Sequence, residues 1–405
     1  MKLIPRVDYM DWLDSYPQPD LIKVLVGQRR IGKSTLLNMY AKKITEKNPN
    51  ASVVELNFEN PYDFRGESWQ EIFDKIMEKT TSNSDNYVFL DEVQILPEFE
   101  RLINGLRVQD GINIYVTGSN SKLLSSELAT LLTGRQVSLE VQPFDFSEYL
   151  QTQNSSNIDK YESFRNFMYF GSIPAYLDIK NSSSDIAALK MASNILETII
   201  EKDIFERYEV YTKADFYKIF DFVLDNIGSP LSSRNISGAL ATNKINIDPK
   251  TVTRYLDILE SAFLIKKVNR FDVKGKEILK TFGKYYVNDP IFRQVRLGKT
   301  PLDDSGHLLE NAVYQHLKRH YKDVKIGKVG DNEVDFVART NEDYIEYFQV
   351  ALTTENKETL LRELKPLKNI RDNNLKYLLT LDRDNNPVYD GIRKLNVVDW
   401  MLSRH

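Results

Sequence analysis

The chain has 405 residues, 41% hydrophobic and 28% charged, with a formal net charge of −4 and no cysteine. These values describe an ordinary folded protein of two or three domains, and they exclude disulfides, thiolate metal centres and a uniformly basic nucleic-acid binder. No apolar run is long enough to span a bilayer and the N-terminus MKLIPRVDYMDW lacks a signal-peptide core, so a cytoplasmic protein without a membrane partner is expected.

The apolar run Leu21-Ile22-Lys23-Val24-Leu25-Val26 predicts a strand over 21–26. It leads directly into Gly27-Gln28-Arg29-Arg30-Ile31-Gly32-Lys33-Ser34-Thr35, which has the spacing G-x-x-x-x-G-K-[ST] of a nucleotide phosphate cradle. In such a loop the glycines let backbone N–H groups curl around an anion, Lys33 reaches the β/γ-phosphates, and Ser34 holds Mg²⁺. Residues 36–44 have helical spacing, so the positive end of that helix would point at the phosphates. The chance alternative, a pattern in a surface loop, is weakened by this strand and helix.

Strands are further predicted over 52–58, 87–91, 112–117 and 136–141, alternating with helices, which implies a mostly parallel sheet with helices on both faces. The third ends in Leu90-Asp91-Glu92. An apolar strand ending in two carboxylates beside a P-loop assigns Asp91 to the Mg²⁺ shell and Glu92 to the attacking water. The fourth leads into Gly118-Ser119-Asn120, where Ser119 or Asn120 would sense the γ-phosphate; Ser119 or Ser121 also suits a helix N-cap, and the two roles are compatible. The helix expected over 121–133 ends at Gly134-Arg135. Arg135 is either an arginine finger reaching a neighbouring subunit's nucleotide or a surface salt-bridge residue.

Residues 142–227 read as mainly helical, with Pro143 and Pro174 as breakers and a polar connector at 153–157. The segment 186–207 carries Leu189, Ala192, Ile195, Leu196, Ile199 and Ile200 on one helix face, with Asp203 and Arg207 as an i,i+4 pair. It is expected to form a helical lid beside the nucleotide.

Over 235–242 and 250–261 two helices are predicted, the second with Val252, Tyr255, Leu256 and Leu259 inward and with Asp248-Pro249 as its cap and first position. Strands Phe263–Val268 and Ile278–Tyr286 follow, joined near Gly275, which is the layout of a winged helix-turn-helix. Lys250, Thr251, Thr253 and Arg254 lie on the exposed face of the second helix. Lys266, Lys267, Arg270, Lys274, Lys276, Lys280 and Lys284 against Asp272 and Glu277 make a local basic patch over 262–284. DNA contact through Lys250, Arg254, Lys266, Lys267 and Arg270 is one reading; a protein-binding module with lysines guarding strand edges is the other.

The last part, 305–405, is α/β again. A helix with Leu309, Glu310, Val313 and Leu317 precedes a strand at 332–338 and another at 344–351. Alternation places Glu333 with Asp335, and Gln349 with Ala351. The four histidines, His307, His316, His320 and His405, lie towards the C-terminus. His316 and His320 have an i,i+4 spacing that suits a metal, but with no third ligand evident an exposed helix face is expected.

Taken together, GQRRIGKST, VFLDEVQ, YVTGSNSKLLSSELATLLTGR, QPFDFSEYL, FGSIPAYL, KTVTRYLDILESAFLIKKVNRF and YYVNDPIFRQ resemble the archaeal-type ATPases of the AAA+/STAND-like group that carry a C-terminal domain of unknown function (the DUF4143 type). The resemblance spans nearly the whole chain. It implies an α/β P-loop NTPase core (1–141), a helical lid (142–227), a winged helix (228–300) and a restriction-endonuclease-like α/β domain of the PD-(D/E)xK type (301–405), with ATP and Mg²⁺ as cofactors. It also implies Arg135 as the finger and Asp91 and Glu92 as the Walker B pair. At the nuclease-like end Glu310 and Asp335 fit the pattern, but Gln349-Val350-Ala351 stands where Glu-x-Lys belongs. Ala351 supplies no positive charge, so a fold without efficient cleavage is expected unless a lysine arrives from elsewhere. The function expected is an ATP-hydrolysing, DNA-associated switch; the alternatives are an ATP-controlled nuclease and a signalling scaffold that never meets DNA.

Overall fold

The computed structural model describes residues 3–81, 85–119, 134–153, 158–275, 277–299 and 304–403, with the side chains at 280 and 281 excepted. They form two compact units, Met1–Gln142 with Ser261–Phe263, and Pro143–Glu260 with Leu264–His405.

In the first unit five strands, β1 (Ile22–Val26), β2 (Ser52–Asn57), β3 (Asn86–Asp91), β4 (Ile112–Gly118) and β5 (Gln136–Glu140), make a wholly parallel sheet in the order β2-β3-β4-β1-β5. The central strands are buried on both faces, which is why they read as continuous apolar runs rather than alternating ones. Ile22, Val24, Val26, Val88, Leu90, Ile114 and Val116 pack against helices Trp69–Met77 and Phe99–Arg107. On the other face Leu25, Phe89 and Tyr115 meet helix Lys33–Lys47 through Leu36, Leu37 and Tyr40, with Leu13 of helix Val7–Asp14. Helix Trp69–Met77 starts at a capping box in which Ser68 and Glu71 exchange hydrogen bonds. With β4 lying between β1 and β3, the phosphate loop and the carboxylates of β3 converge at one end of the sheet. Asn120, Ser121 and the helix expected over 121–133 lie outside the described residues, apart from Gly134 with its left-handed φ of 69°.

The second unit opens with helices Phe146–Thr152, Lys160–Phe170, Pro174–Ser182 and Asp185–Thr198, followed by Lys213–Asp225. Pro174 starts a helix rather than breaking one, because its missing N–H falls in the first turn. The single helix expected over 186–207 is interrupted: at Ile199 the chain widens into a π-helical stretch, Ile199–Phe205, in which Ile199, Ile200, Asp203 and Ile204 are all buried. The Asp203–Arg207 pair forms, at 2.9 Å.

Helices Ser233–Thr242 and Pro249–Ser261 follow, with strands β6 (Pro230–Leu231), β7 (Ile265–Asp272) and β8 (Glu277–Val287). The hairpin of β7 and β8 is not an independent wing. It continues through a short parallel pairing of β7 with β9 (Asp323–Val329) into β10 (Asn332–Arg339), β11 (Ile345–Ala351), β12 (Leu375–Thr380), β14 (Ile392–Asn396) and β13 (Val388–Tyr389), a nine-stranded sheet. Helix Ser305–His320 lies on this sheet, and so does helix Lys357–Lys368, whose Leu364 and Leu367 pack with Val334, Tyr347 and Leu378. The exposed face expected for His316 is overturned: the ring is buried, 4.6 Å from that of Trp400 and 4.5 Å from that of His320, because the C-terminal helix Val397–Leu402 covers it.

Candidate functional site

The loop between β1 and helix Lys33–Lys47 is shaped by two glycines. A side chain at Gly27 would lie 2.4 Å from the Val141 carbonyl oxygen and 2.6 Å from Ile31 Cδ1, and Gly32 turns into the helix at a φ of 94° that a Cβ disfavours. Arg6, which no sequence pattern singled out, braces the loop from outside by donating to the carbonyls of Ile31 (3.1 Å) and Gln142 (2.8 Å). Lys33 is buried at the start of the helix. Its Nζ donates to the carbonyls of Gly27 (2.9 Å) and Gln28 (3.0 Å) and lies 3.3 Å from Glu92 Oε1. Gln28 and Ile31 are buried, Arg30 and Thr35 exposed, and Arg29 pairs with Glu59 at 2.5 Å.

Asp91 and Glu92 are both buried at the end of β3, and their environments push them apart. Burial raises the Asp91 carboxyl above its ordinary value, although the hydroxyls of Thr117 and Ser34 bond it and partly offset the rise. Burial also opposes the charge of Glu92, but the Lys33 ammonium, the Gln94 carboxamide and the Arg29 guanidinium together outweigh it and hold the carboxyl below its ordinary value. Asp91 Oδ1 accepts from Thr117 (2.5 Å) and Oδ2 from Asn57 (3.0 Å). Glu92 has a left-handed backbone, φ 53° and ψ 45°, with its N–H on Thr117 Oγ1 at 2.9 Å. Such strain in a non-glycine residue persists only where its surroundings fix it, and it gathers at functional sites. Gln94 Nε2 donates to Glu92 Oε2 at 2.5 Å and to Ser119 Oγ at 3.4 Å. The structure therefore brings Lys33, Ser34, Asp91, Glu92 and Ser119 to one end of the sheet, and adds Asn57, Gln94 and Thr117.

Arg135 is exposed at the opposite end. Its carbonyl accepts from Ile22 N at the start of β1, so it lies a strand's length from its own chain's phosphate loop.

A second charged cluster occupies the second unit. Lys284, counted above in the basic patch, is not on the surface. Only 4% exposed, its Nζ lies 2.9 Å from Glu310 Oε1, 2.8 Å from Glu333 Oε1 and 4.0 Å from Asp335 Oδ1. Burial works against its charge, but Glu310, Asp335 and Glu333 outweigh it and hold the ammonium above its ordinary value. Burial and the neighbouring Glu310 charge drive the Asp335 carboxyl well above its ordinary value, against the pull of Lys284. Tyr286 donates to Glu310 at 2.5 Å, Val350 N to Asp335 at 2.8 Å, and Gln349 Nε2 to Glu363 at 3.0 Å. The alternative left open for Glu310 and Asp335, a lysine arriving from elsewhere, is met in position: β8 brings Lys284 where Ala351 supplies no charge. Among the described residues no group of three or more acidic or histidine side chains is arranged to hold a metal ion, since the ammonium gathers these carboxylates itself.

Comparison with known proteins gives this geometry a family. An uncharacterized protein of Haemophilus influenzae is 33% identical over 407 residues, covering 99% of both chains. The chain belongs to that protein's family. The uncharacterized protein MJ1544 of Methanocaldococcus jannaschii is 26% identical over 94% of this chain and 85% of its own. Residues 19–150 match the model of an AAA domain, and 161–303 match a domain of unknown function (DUF8612). Among solved structures the Walker-type ATPase PABY2304 of Pyrococcus abyssi shares the fold, with a TM-score of 0.50 at 16% identity, over 73% of this chain and 96% of that one. The first unit is therefore an AAA-type P-loop ATPase domain, the class of fold that binds and hydrolyses nucleoside triphosphates.

Beyond the AAA domain, the surface basic residues divide. Lys250 and Lys267 are exposed. Arg254 donates to the Glu209 carbonyl at 2.6 Å and stacks over Tyr211, Lys266 pairs with Glu260 at 2.9 Å, and Arg270 lies 3.8 Å from Glu333. Lys276 and the Lys280 side chain lie outside the described residues. No helix among the described residues is long and apolar enough to cross a membrane.

Proposed function

We propose that the protein is a Mg²⁺-dependent ATP-hydrolysing switch whose second unit is the part it moves. The observation that carries the reading is the meeting of Lys33 with Glu92 at 3.3 Å above a loop in which Gly32 is left-handed and Ser34 bonds Asp91. These residues fit the cofactor: backbone N–H groups of 27–35 and the helix end suit phosphates, and the Ser34 hydroxyl and Asp91 carboxylate are the hard oxygen donors Mg²⁺ prefers. Mg²⁺ and ATP supply an electrophilic phosphorus and neutralise charge on the transferred oxygens. Lys33 binds the β/γ-phosphates, Glu92 orients and accepts a proton from water, Ser119 reads the γ-phosphate end, and Arg135 serves a neighbouring molecule's site.

In this reading the helices of 142–227 are a lid, helices Ser233–Thr242 and Pro249–Ser261 with β6, β7 and β8 are a winged helix spanning 228–300, and 301–405 is nuclease-like. Lys250 and Lys267, with Arg254, Lys266 and Arg270 beside them, form the DNA-facing surface. The test is ATP turnover by the full chain with and without duplex DNA. Glu92→Gln is expected to lower kcat by roughly 10²–10⁴-fold while ATP still binds; turnover at the wild-type rate would sink the role of Glu92. Stimulation by DNA that weakens with added salt supports the DNA surface, and its absence points to a protein partner instead.

One observation favours a second reading, an ATP-controlled nuclease: Lys284 stands beside Glu310 and Asp335. Against it, that same ammonium holds the carboxylates a metal would need. Incubation with Mg²⁺ or Mn²⁺ and DNA or RNA separates the two. No cutting is expected; cutting that Asp335→Asn abolishes would establish the nuclease.

A further inference from the structure

We infer that Gln94 is the positioning residue of the ATPase centre: it fixes the Glu92 carboxylate by one oxygen so that the other is presented to water, and it ties that carboxylate to Ser119. The inference rests on the ATPase reading above. Both oxygens of Glu92 are engaged, Oε1 facing Lys33 at 3.3 Å and Oε2 accepting from Gln94 Nε2 at 2.5 Å. The orientation of the carboxamide is set by chemistry, because an ionised carboxylate only accepts and the atom facing it must be the donor. The two contacts differ in what can replace them. Lys33 also reaches the carbonyls of Gly27 and Gln28 and is the group a P-loop turns to phosphate. Once Lys33 moves to phosphate oxygens, Oε1 is released to accept from water while Gln94 still holds Oε2. The carboxylate then keeps its orientation through the step that needs it.

Two further features give Gln94 this task. Its backbone belongs to the short 3₁₀ turn Val93–Ile95, which starts from the left-handed Glu92, so the side chains of 92 and 94 are set by one rigid local geometry. Its Nε2 also lies 3.4 Å from Ser119 Oγ just beyond β4, so a displacement of Ser119 reaches Glu92 through a single side chain. The carboxamide oxygen is buried with no protein donor among the described residues, which makes it a second acceptor for a water that donates to Glu92.

The experiment compares the full-length wild type with Gln94→Ala, Gln94→Glu and Glu92→Gln, measuring steady-state ATP turnover from pH 5 to 9 and equilibrium binding of a fluorescent ATP analogue. Gln94→Ala is expected to lower kcat roughly ten- to a hundredfold, the cost of a misplaced catalytic group, with analogue binding within about twofold of wild type. Gln94→Glu, nearly isosteric, sets a further carboxylate against Glu92 and is expected to move the acid limb of the kcat profile to higher pH, with analogue binding reporting that the site is folded. A merely structural glutamine would not move that limb. If Glu92→Gln is inactive while Gln94→Ala turns over at the wild-type rate and Gln94→Glu leaves the limb in place, the role of Gln94 fails alone. If Glu92→Gln is as active as wild type, the ATPase reading fails and this inference with it.

Discussion

Two buried lysines, Lys33 in the first unit and Lys284 in the second, each face carboxylates, yet they are held in opposite ways. Lys33 shares its ammonium between two backbone carbonyls and one oxygen of Glu92. The two carbonyls are neutral, so exchanging them for phosphate strands no charge there, and Glu92 keeps the Gln94 donor on its other oxygen. Lys284 is surrounded by Glu310, Glu333 and Asp335, with Tyr286 and Val350 N completing the set. Its removal would strand several acidic groups in the interior. A site meant to exchange partners is left partly satisfied by neutral atoms, whereas one that holds a structure together is saturated by charge.

The largest expected effect tests this difference directly. Lys284→Met should destabilise the second unit by about 3–5 kcal/mol, because breaking a buried ion pair leaves the remaining charges uncompensated. Adding Glu310→Gln and Asp335→Asn to Lys284→Met should restore much of the loss, since neutral partners need no counter-charge. Urea unfolding of the three proteins decides it. A Lys284→Met protein as stable as wild type would mean that the cluster is solvated and open, and would return the site to consideration as a metal centre.

The two centres also differ in how far they could be read from residues alone. The phosphate loop is a contiguous stretch whose every position has a task, and Asp91 and Glu92 end an apolar strand, so local order carries the signal. Their supports do not show in that way: Asn57 and Thr117 reach the site only because the parallel sheet brings distant strand ends together, and Arg6 reaches the loop from the residue before helix Val7–Asp14. Gln94 was in view, two residues beyond Glu92, but nothing in spacing says that a 3₁₀ turn follows a left-handed Glu92 and folds its side chain back. Lys284 was misread as surface charge because alternation along β8 tells which residues share a face and not what covers that face. The cover, helix Ser305–His320 with Glu310, comes later in the chain. The same reason hid the joining of β7 to β9, a three-residue pairing with no local signature. The central strands β1, β3 and β4 are legible because burial on both faces writes itself as unbroken apolar sequence, and the π-helical stretch at Ile199–Phe205 is not because it keeps helical spacing on either side.

A smaller effect sharpens the comparison through pH. Glu92 sits below its ordinary value, so it contributes stability that is present above the usual glutamate range and is lost as the pH falls. Asp335 sits well above its ordinary value, so its contribution is present in acid and is lost as the pH rises through that raised value. The wild type should therefore lose its advantage over Glu92→Gln as the pH falls below the ordinary glutamate range, from about 5 towards 3. Asp335→Asn should gain on the wild type as the pH is raised from about 4 towards 7. Each slope is bounded by about 1.4 kcal/mol per pH unit for one proton. Urea midpoints of the three proteins at each pH report both trends, and differences that move in the same direction would overturn the contrast. The opposite signs follow from how burial is answered in each place: at Glu92 the Lys33 ammonium, the Gln94 carboxamide and the Arg29 guanidinium together outweigh it, whereas buried Asp335 competes with Glu310 and Glu333 for a single lysine, so burial prevails and the last proton stays longest where the carboxylates outnumber the cation.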